Sequence, residues 1–223
     1  MAYTTDQEAF WAGSFGDEYV QRNRSRQLLA SNLAFWSRIL APFGPVRSVL
    51  EIGANIGMNL MALDLLFPDV VLEGIEINAS AATELASWGR ATVHNESILD
   101  YKPQREFDLV LTKGVLIHLN PDILPQVYDI MEKSSSRLLC IAEYYNPVPV
   151  QIDYRGHQGK LFKRDFAGEM LERHANFKLL DYGFAYRKDP SFPQDDITWF
   201  LMEKKTATLH EKFVPGKKEG KEE

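Results

Sequence analysis

Seven short apolar runs, most of them separated by segments with helical spacing, constrain this chain to a layered α/β fold. The runs occupy residues 48–52, 70–77, 91–94, 107–112, 137–143, 178–186 and 197–204. Ahead of the first, residues 26–40 set Leu29, Leu33, Trp36 and Leu40 at helical spacing. Residues 56–67 read as a helix stopped by Pro68, and residues 80–88 as a helix ended by Gly89. Asn120-Pro121-Asp122 opens another that extends to about Lys133: an N-cap residue, proline in the first turn, then an acid. Asp165 caps a further helix reaching His174. No helical pattern separates the last two runs, so they are expected to pair antiparallel. Apolar strands alternating with helices predict a doubly wound, mainly parallel seven-stranded sheet covered on both faces, with a C-terminal antiparallel hairpin. In such sheets ligands bind beyond the carboxyl ends of the strands.

At 223 residues the chain fits one α/β domain, and it has no internal repeat or Pro/Gly-rich linker. The expected division is a helical lid or extension over 1–45, the α/β domain over 46–205, and a charged, disordered tail over 206–223. A net charge of −6 without a basic stripe argues against nucleic acid as partner. The single cysteine, Cys140, lies in an apolar run and reads as a small buried hydrophobe. The N-terminal stretch has no basic segment followed by an apolar one, and no apolar run is long enough to span a bilayer. A cytoplasmic protein with no membrane partner is expected. The five histidines and one cysteine show no ligand spacing, so no metal is expected.

The turn after the first strand reads Glu51-Ile52-Gly53-Ala54-Asn55-Ile56-Gly57-Met58. A dinucleotide fingerprint, G-x-G-x-x-G, fails here, because Asn55 and Met58 stand where the second and third glycines belong. The pattern acid-x-Gly-x-x-x-Gly is met by Glu51, Gly53 and Gly57, with Asn55 departing from the commoner small residue at the middle position. In this the segment resembles the class I S-adenosylmethionine-dependent methyltransferases, whose Rossmann-like fold and cofactor the resemblance implies. Glycines allow close backbone approach, and Glu51 can attract the cofactor's cationic amino group. Glu76, ending the second strand in Gly74-Ile75-Glu76-Ile77-Asn78, sits roughly 20 residues further on, where an acid can accept from both ribose hydroxyls. By the same resemblance Ala54, Asn55 and Ile77 line the cofactor, Ser97 bonds the adenine amine and Ile98 packs on its ring. Backbone carbonyls near Lys113 and Gly114 would meet the cofactor's amine. The aromatic N-terminal segment can fold over the site with Tyr19 or Arg22 facing the cofactor, or can simply pack on the sheet.

The remaining candidates concern the acceptor. His118 can act as a general base, since a free imidazole titrates near pH 6.5, or can be a packed structural histidine. Glu143 and His157 are its rivals as base. The loop after the fifth strand is dense in polar and aromatic groups and stiffened by Pro147 and Pro149. Tyr144, Tyr145, Asn146, Tyr154 and Arg155 are its candidate substrate contacts, with Arg155 suited to a phosphate or carboxylate. Segments 15–23, 113–118, 143–147, 154–157 and 161–168 together resemble the methylases associated with pseudaminic acid biosynthesis. That resemblance implies methyl transfer to a hydroxyl or amine of a sugar or sugar nucleotide, a small-molecule acceptor, with S-adenosylhomocysteine as product. The competing reading is a non-catalytic S-adenosylmethionine-binding regulator or scaffold. A nicotinamide-dependent oxidoreductase is disfavoured by the failed glycine fingerprint.

Overall fold

The computed structural model describes residues 3–20 and 24–205; Arg22 and the 206–223 tail lie outside the described residues. Seven strands form one sheet: β1 Ser48–Ile52, β2 Val71–Ile75, β3 Ala91–His94, β4 Phe107–Lys113, β5 Ser135–Glu143, β8 Phe177–Ala185 and β9 Ile197–Lys204. Their order is β3-β2-β1-β4-β5-β9-β8. The first five pair parallel, and β9 runs antiparallel to both β5 and β8. This is the expected mainly parallel sheet with its C-terminal hairpin.

Alternation along the strands splits the core into two layers. Val49, Leu109, Leu111, Cys140 and Leu201 face helices α3 Arg26–Leu40, α4 Met58–Leu66 and α5 Ala79–Ser87. Leu50, Ile52, Val110, Leu139 and Met202 face α6 Leu124–Ser134 and α7 Phe166–Arg173. Successive side chains of a strand point to opposite faces, so one apolar run serves both layers. Helix ends follow the residues expected to set them. Asp165 accepts from the Gly168 amide at 2.8 Å and caps α7. Asn120 accepts from the Asp122 amide, but the proline after it opens a single 3-10 turn before α6 begins at Leu124.

Two pairs of elements lie outside this frame. α1 Asp6–Ala12 and α2 Ser14–Val20 precede the core. The segment after β5, expected as a loop, is a separate two-stranded hairpin, β6 Val150–Tyr154 and β7 His157–Lys163. Its two-residue connection, Arg155-Gly156, has φ of +51° and +84°, as a type I′ turn requires. α1 rests on this hairpin: Gln7 Nε2 donates to the Gly159 carbonyl at 2.8 Å and Lys160 Nζ to the Asp6 carbonyl at 2.9 Å. Among the described residues no helix is long and apolar enough to cross a membrane.

Candidate functional site

The strand order reverses between β1 and β4. The chain winds outward through β2 and β3 and then returns to the other side of β1. Such a switch opens a crevice at the carboxyl ends of the strands. A cavity of about 430 Å³ lies there, walled by the β1–α4 turn, the ends of β2 and β4, and helices α1 and α2.

The floor is built from the β1–α4 turn. Gly53 has φ +70° and Gly57 has φ +84°, both in the left-handed region. Both places are also crowded by side-chain ends: a Cβ on Gly53 would stand 2.5 Å from Val115 Cγ2, and one on Gly57 would overlap Leu85 Cδ1. The left-handed backbone asks for these glycines before any ligand does. Asn55 is the non-glycine exception at φ +49°, a conformation asparagine tolerates better than most residues. Its amide donates to Glu76 Oε2 at 2.7 Å, which ties the turn to the end of β2.

Two buried carboxylates face the cavity from neighbouring strands. Glu51 Oε1 accepts from Asn59 Nδ2 at 2.6 Å, and Asn59 Oδ1 is in turn held by the Trp36 indole at 3.1 Å. The other Glu51 oxygen, Oε2, is buried with no hydrogen-bond partner among the described residues. Burial pushes this carboxyl up to about 8, against the pull of Asn59 and of the Lys113 charge. An orphaned carboxylate oxygen lining a cavity is a place for a cation or a strong donor. Glu76 is raised for the same reason, burial, although its oxygens accept from the Asn78 and Asn55 amides. Each oxygen keeps acceptor capacity for a further donor. The arrangement offers one unsatisfied carboxyl oxygen, and beside it a carboxyl group held rigid by backbone amides.

No protein-family model matches the sequence, and no curated protein matches it. Solved structures do match. A magnesium protoporphyrin IX methyltransferase from Synechocystis PCC 6803 with bound S-adenosylmethionine aligns with TM-score 0.64 at 13% identity, over 92% of this chain and 100% of that one. A 1,6-didemethyltoxoflavin N1-methyltransferase from Burkholderia thailandensis aligns with TM-score 0.67 at 15% identity, over 89% and 87%. A sugar N-methyltransferase from Streptoalloteichus sp. ATCC 53650 aligns with TM-score 0.62 at 14% identity, over 92% and 97%. The chain has the class I methyltransferase fold.

Within this fold the expected cofactor contacts converge. Glu51, Gly53, Ala54, Asn55, Gly57 (through its turn), Glu76, Ile77, Ser97, Ile98, Lys113 and Tyr19 gather around or beneath the one cavity. Ser97 is already engaged. Its hydroxyl donates to Glu8 Oε1 and accepts from the Leu99 amide at 3.1 Å, which leaves one lone pair for a further donor. Lys113 was expected to matter through its backbone. Its side chain also lines the cavity, with Nζ donating to Asn32 Oδ1 at 3.2 Å above the Phe35 ring. Burial lowers its pKa, and Glu51, Asp195 and Glu143 oppose that.

The acceptor candidates divide. His118 lines the cavity. Its Nδ1 bonds the Lys160 carbonyl at 2.7 Å, so Nδ1 carries the proton and Nε2 is bare. The ring packs against Trp11 and Tyr154, at centroid distances of 4.5 and 4.8 Å. Burial lowers its pKa to about 4, which leaves it neutral at pH 7 and a weaker proton acceptor than a free imidazole. Glu143 does not reach the cavity wall. Its carboxylate collects the amides of Val115, Leu116 and Ile117 and the Thr112 hydroxyl, fixing the turn after β4. Burial nevertheless holds it up at about 7.

His157 and Arg155 lie at a second, outer depression beside Phe10 and Phe15. Asn146 turns back to the Val148 carbonyl, and Tyr145 is exposed beside Phe200. The hairpin accounts for this separation, since it carries the loop's residues away from the sheet as a unit. Tyr154 joins the aromatic cluster with Trp11, Phe15 and His118. Burial raises the Tyr144 phenol, and the charge of nearby Asp195, which is on the cavity wall, adds to that.

Several wall residues carried no sequence signal of their own. Glu8 and Trp11 come from α1, and Asn32 from α3. Arg187, Gln194 and Asp195 come from the β8–β9 connection, which Gln194 Nε2 clips to Asn32 Oδ1 at 2.9 Å. A run of charged and proline residues between two strands reads as an ordinary surface loop. Its position over β5 follows from the sheet order, which a single sequence does not print.

Proposed function

We propose that this chain methylates a hydroxyl or amine of a small polar metabolite with S-adenosylmethionine as donor, the acceptor being a sugar or sugar nucleotide of the pseudaminic or sialic-acid-like type. The observation that carries the reading is Glu51 Oε2, a buried carboxylate oxygen without a partner at the carboxyl end of β1. A cofactor bearing an ammonium group fits it. Glu76, at the end of β2, fits a ribose diol, and Ile98 and Ile77 offer apolar surface to an adenine ring. When bound, S-adenosylmethionine supplies a methyl group made electrophilic by its sulfonium and leaves S-adenosylhomocysteine.

The chain's own residues orient, enclose and exclude water. Methyl transfer is displacement in line, so holding the acceptor within about 3–3.5 Å of the methyl carbon is the main catalytic task. In this reading residues 1–45 contribute a lid. α1 and α2 cover the cavity and are fastened by Glu8 to Ser97 and by Asn78 Nδ2 to Asp17 at 3.0 Å. His118, neutral and hydrogen-bonded to β7, holds the hairpin and α1 against the cavity, and so acts as a positioning residue. Arg187 at the wall suits an anionic part of the acceptor. The small-molecule and sugar acceptors in the names of the aligned methyltransferases support the acceptor class, as does the sequence resemblance to the pseudaminic-acid-associated methylases.

The test is mass spectrometry of sugar and sugar-nucleotide candidates incubated with the protein and S-adenosylmethionine. A gain of one methyl group on such an acceptor is expected. Cofactor binding without any methylated product would instead favour a regulator or scaffold.

A further inference from the structure

We propose that Gln7 and Trp11, on the cavity side of α1, form a subsite for a secondary amide of the acceptor, the acylamino group of a sugar; this rests on the methyl-transfer reading above. Both residues line the cavity, four positions apart and so on one side of the helix. Gln7 is only 9% exposed. Its Nε2 donates to the Gly159 carbonyl of β7 at 2.8 Å, and a carbonyl can only accept, so this contact fixes which end of the Gln7 amide is the oxygen. That oxygen, Oε1, is buried without a hydrogen-bond partner among the described residues, and so is Trp11 Nε1. One is an acceptor and the other a donor. A buried polar group without a partner destabilises the arrangement that buries it. A ligand group enclosed beneath α1 that donates to Gln7 and accepts from Trp11 therefore stabilises the closed helix.

Their place in the cavity assigns the pair to the acceptor and not to the cofactor. Glu8, between them in sequence, turns to Ser97 beyond the end of β3, where the adenine is expected. Gln7 turns instead to β7, and Trp11 to His118 and Tyr154, at centroid distances of 4.5 and 6.4 Å. His118, Leu119 and Ile123 continue this wall from the connection after β4. The chemistry narrows the ligand further. Neither unpartnered atom is charged, so the pair does not select an ammonium or a carboxylate. A hydroxyl carries its donor and its acceptor on one atom. A secondary amide carries them on two, directed to opposite sides of a flat group, and residues one helical turn apart, about 5–6 Å between their Cβ atoms, suit that separation. The acyl carbon beside the carbonyl then meets the indole ring and Leu119, which are apolar. The amide anchors the acceptor here, and the methylated atom is a different group of the same molecule.

The experiment is titration calorimetry on protein loaded with S-adenosylhomocysteine. The probes are N-acetylglucosamine and glucose, and UDP-N-acetylglucosamine and UDP-glucose, matched pairs in which an acetamido group replaces one hydroxyl. The acetamido member of a pair is expected to bind about tenfold tighter, and Trp11→Phe and Gln7→Met are each expected to cut that preference to about twofold or less. The preference is a ratio within one protein, so a general loosening of α1 by either substitution cancels from it. A second readout uses the unmodified protein: the indole N–H proton of Trp11, one of four tryptophans, followed by NMR. It should move downfield and exchange more slowly when the acetamido sugar is added, and not when glucose is added. Equal binding of both members, no binding of either, or an unchanged preference in Trp11→Phe would overturn the proposal. So would a Trp11 signal that shifts on loading with S-adenosylhomocysteine and does not move again with the sugar, since the pair would then serve the cofactor. Failure of S-adenosylhomocysteine to bind the unmodified protein is seen in the loading step, and it overturns the methyl-transfer reading on which this one rests.

Discussion

Glu51 concentrates the chemistry of the site in one side chain. Its carboxyl titrates at about 8 because it is buried, whereas an unfolded chain releases that proton near 4.5. Between those pH values the folded state holds a proton that the unfolded state has lost, so stability falls as pH rises from about 4.5 to about 8. Glu51→Gln removes this loss. The ligand-free variant should be more stable than the parent by at least ~2 kcal/mol at pH 8, and nearly equal to it at pH 5, in urea melts at the two pH values. The same variant should bind S-adenosylhomocysteine at least about tenfold more weakly, since a neutral amide does not pair with an ammonium. Equal stability at pH 8 would show that the carboxyl is not desolvated. Glu51, Gly53, Gly57 and Glu76 were legible in sequence because the β1–α4 turn prints its needs locally, in glycines and in acids at strand ends. Ser97 and Glu143 were legible as polar residues after strands but not as residues engaged by distant parts of the chain. Their partners, Glu8 and the 115–117 amides, lie 89 and 26–28 residues away in sequence.

At the scale of elements, β1, β4 and β5 could be read because they are buried on both faces and are therefore nearly continuous apolar runs. The β6–β7 hairpin could not be read that way. Val150 and Ile152 are exposed, and two prolines precede the strand. The signal present was Val150-Gln151-Ile152-Asp153-Tyr154, a two-residue alternation ending at Arg155-Gly156. The hairpin and α1 act together through Gln7, Lys160 and the Trp11–His118–Tyr154 cluster. Few of these contacts reach the sheet, so α1 and α2 belong to the low-stability end of the molecule. Hydrogen exchange should therefore show fast amides in α1 and α2 without ligand, and several-fold slower exchange with S-adenosylhomocysteine, while α6 changes little. Equal slowing in α6, or none in α1, would argue against a lid.

For the whole molecule, the sheet order places the cavity, and in the proposed reading its two unlike carboxylates select the ligand. Glu51 leaves an oxygen free for a cation, and Glu76 is set for a diol. Nothing in the β1–α4 turn makes the glycine-lined approach that a pyrophosphate needs, because Asn55 and Met58 occupy those positions. The acceptor side was far less legible in sequence, because it is assembled from α1, α3, β5 and the β8–β9 connection. No local pattern announces that Asp195 joins Glu8 and Asn32 on one cavity wall. The most direct measurement is titration calorimetry of the purified protein with S-adenosylhomocysteine and, in parallel, with NAD. The account predicts one-to-one binding of S-adenosylhomocysteine with Kd of about 10 μM or tighter, and no heat from NAD. Binding of NAD, or no binding of S-adenosylhomocysteine at about 1 mM, would contradict it.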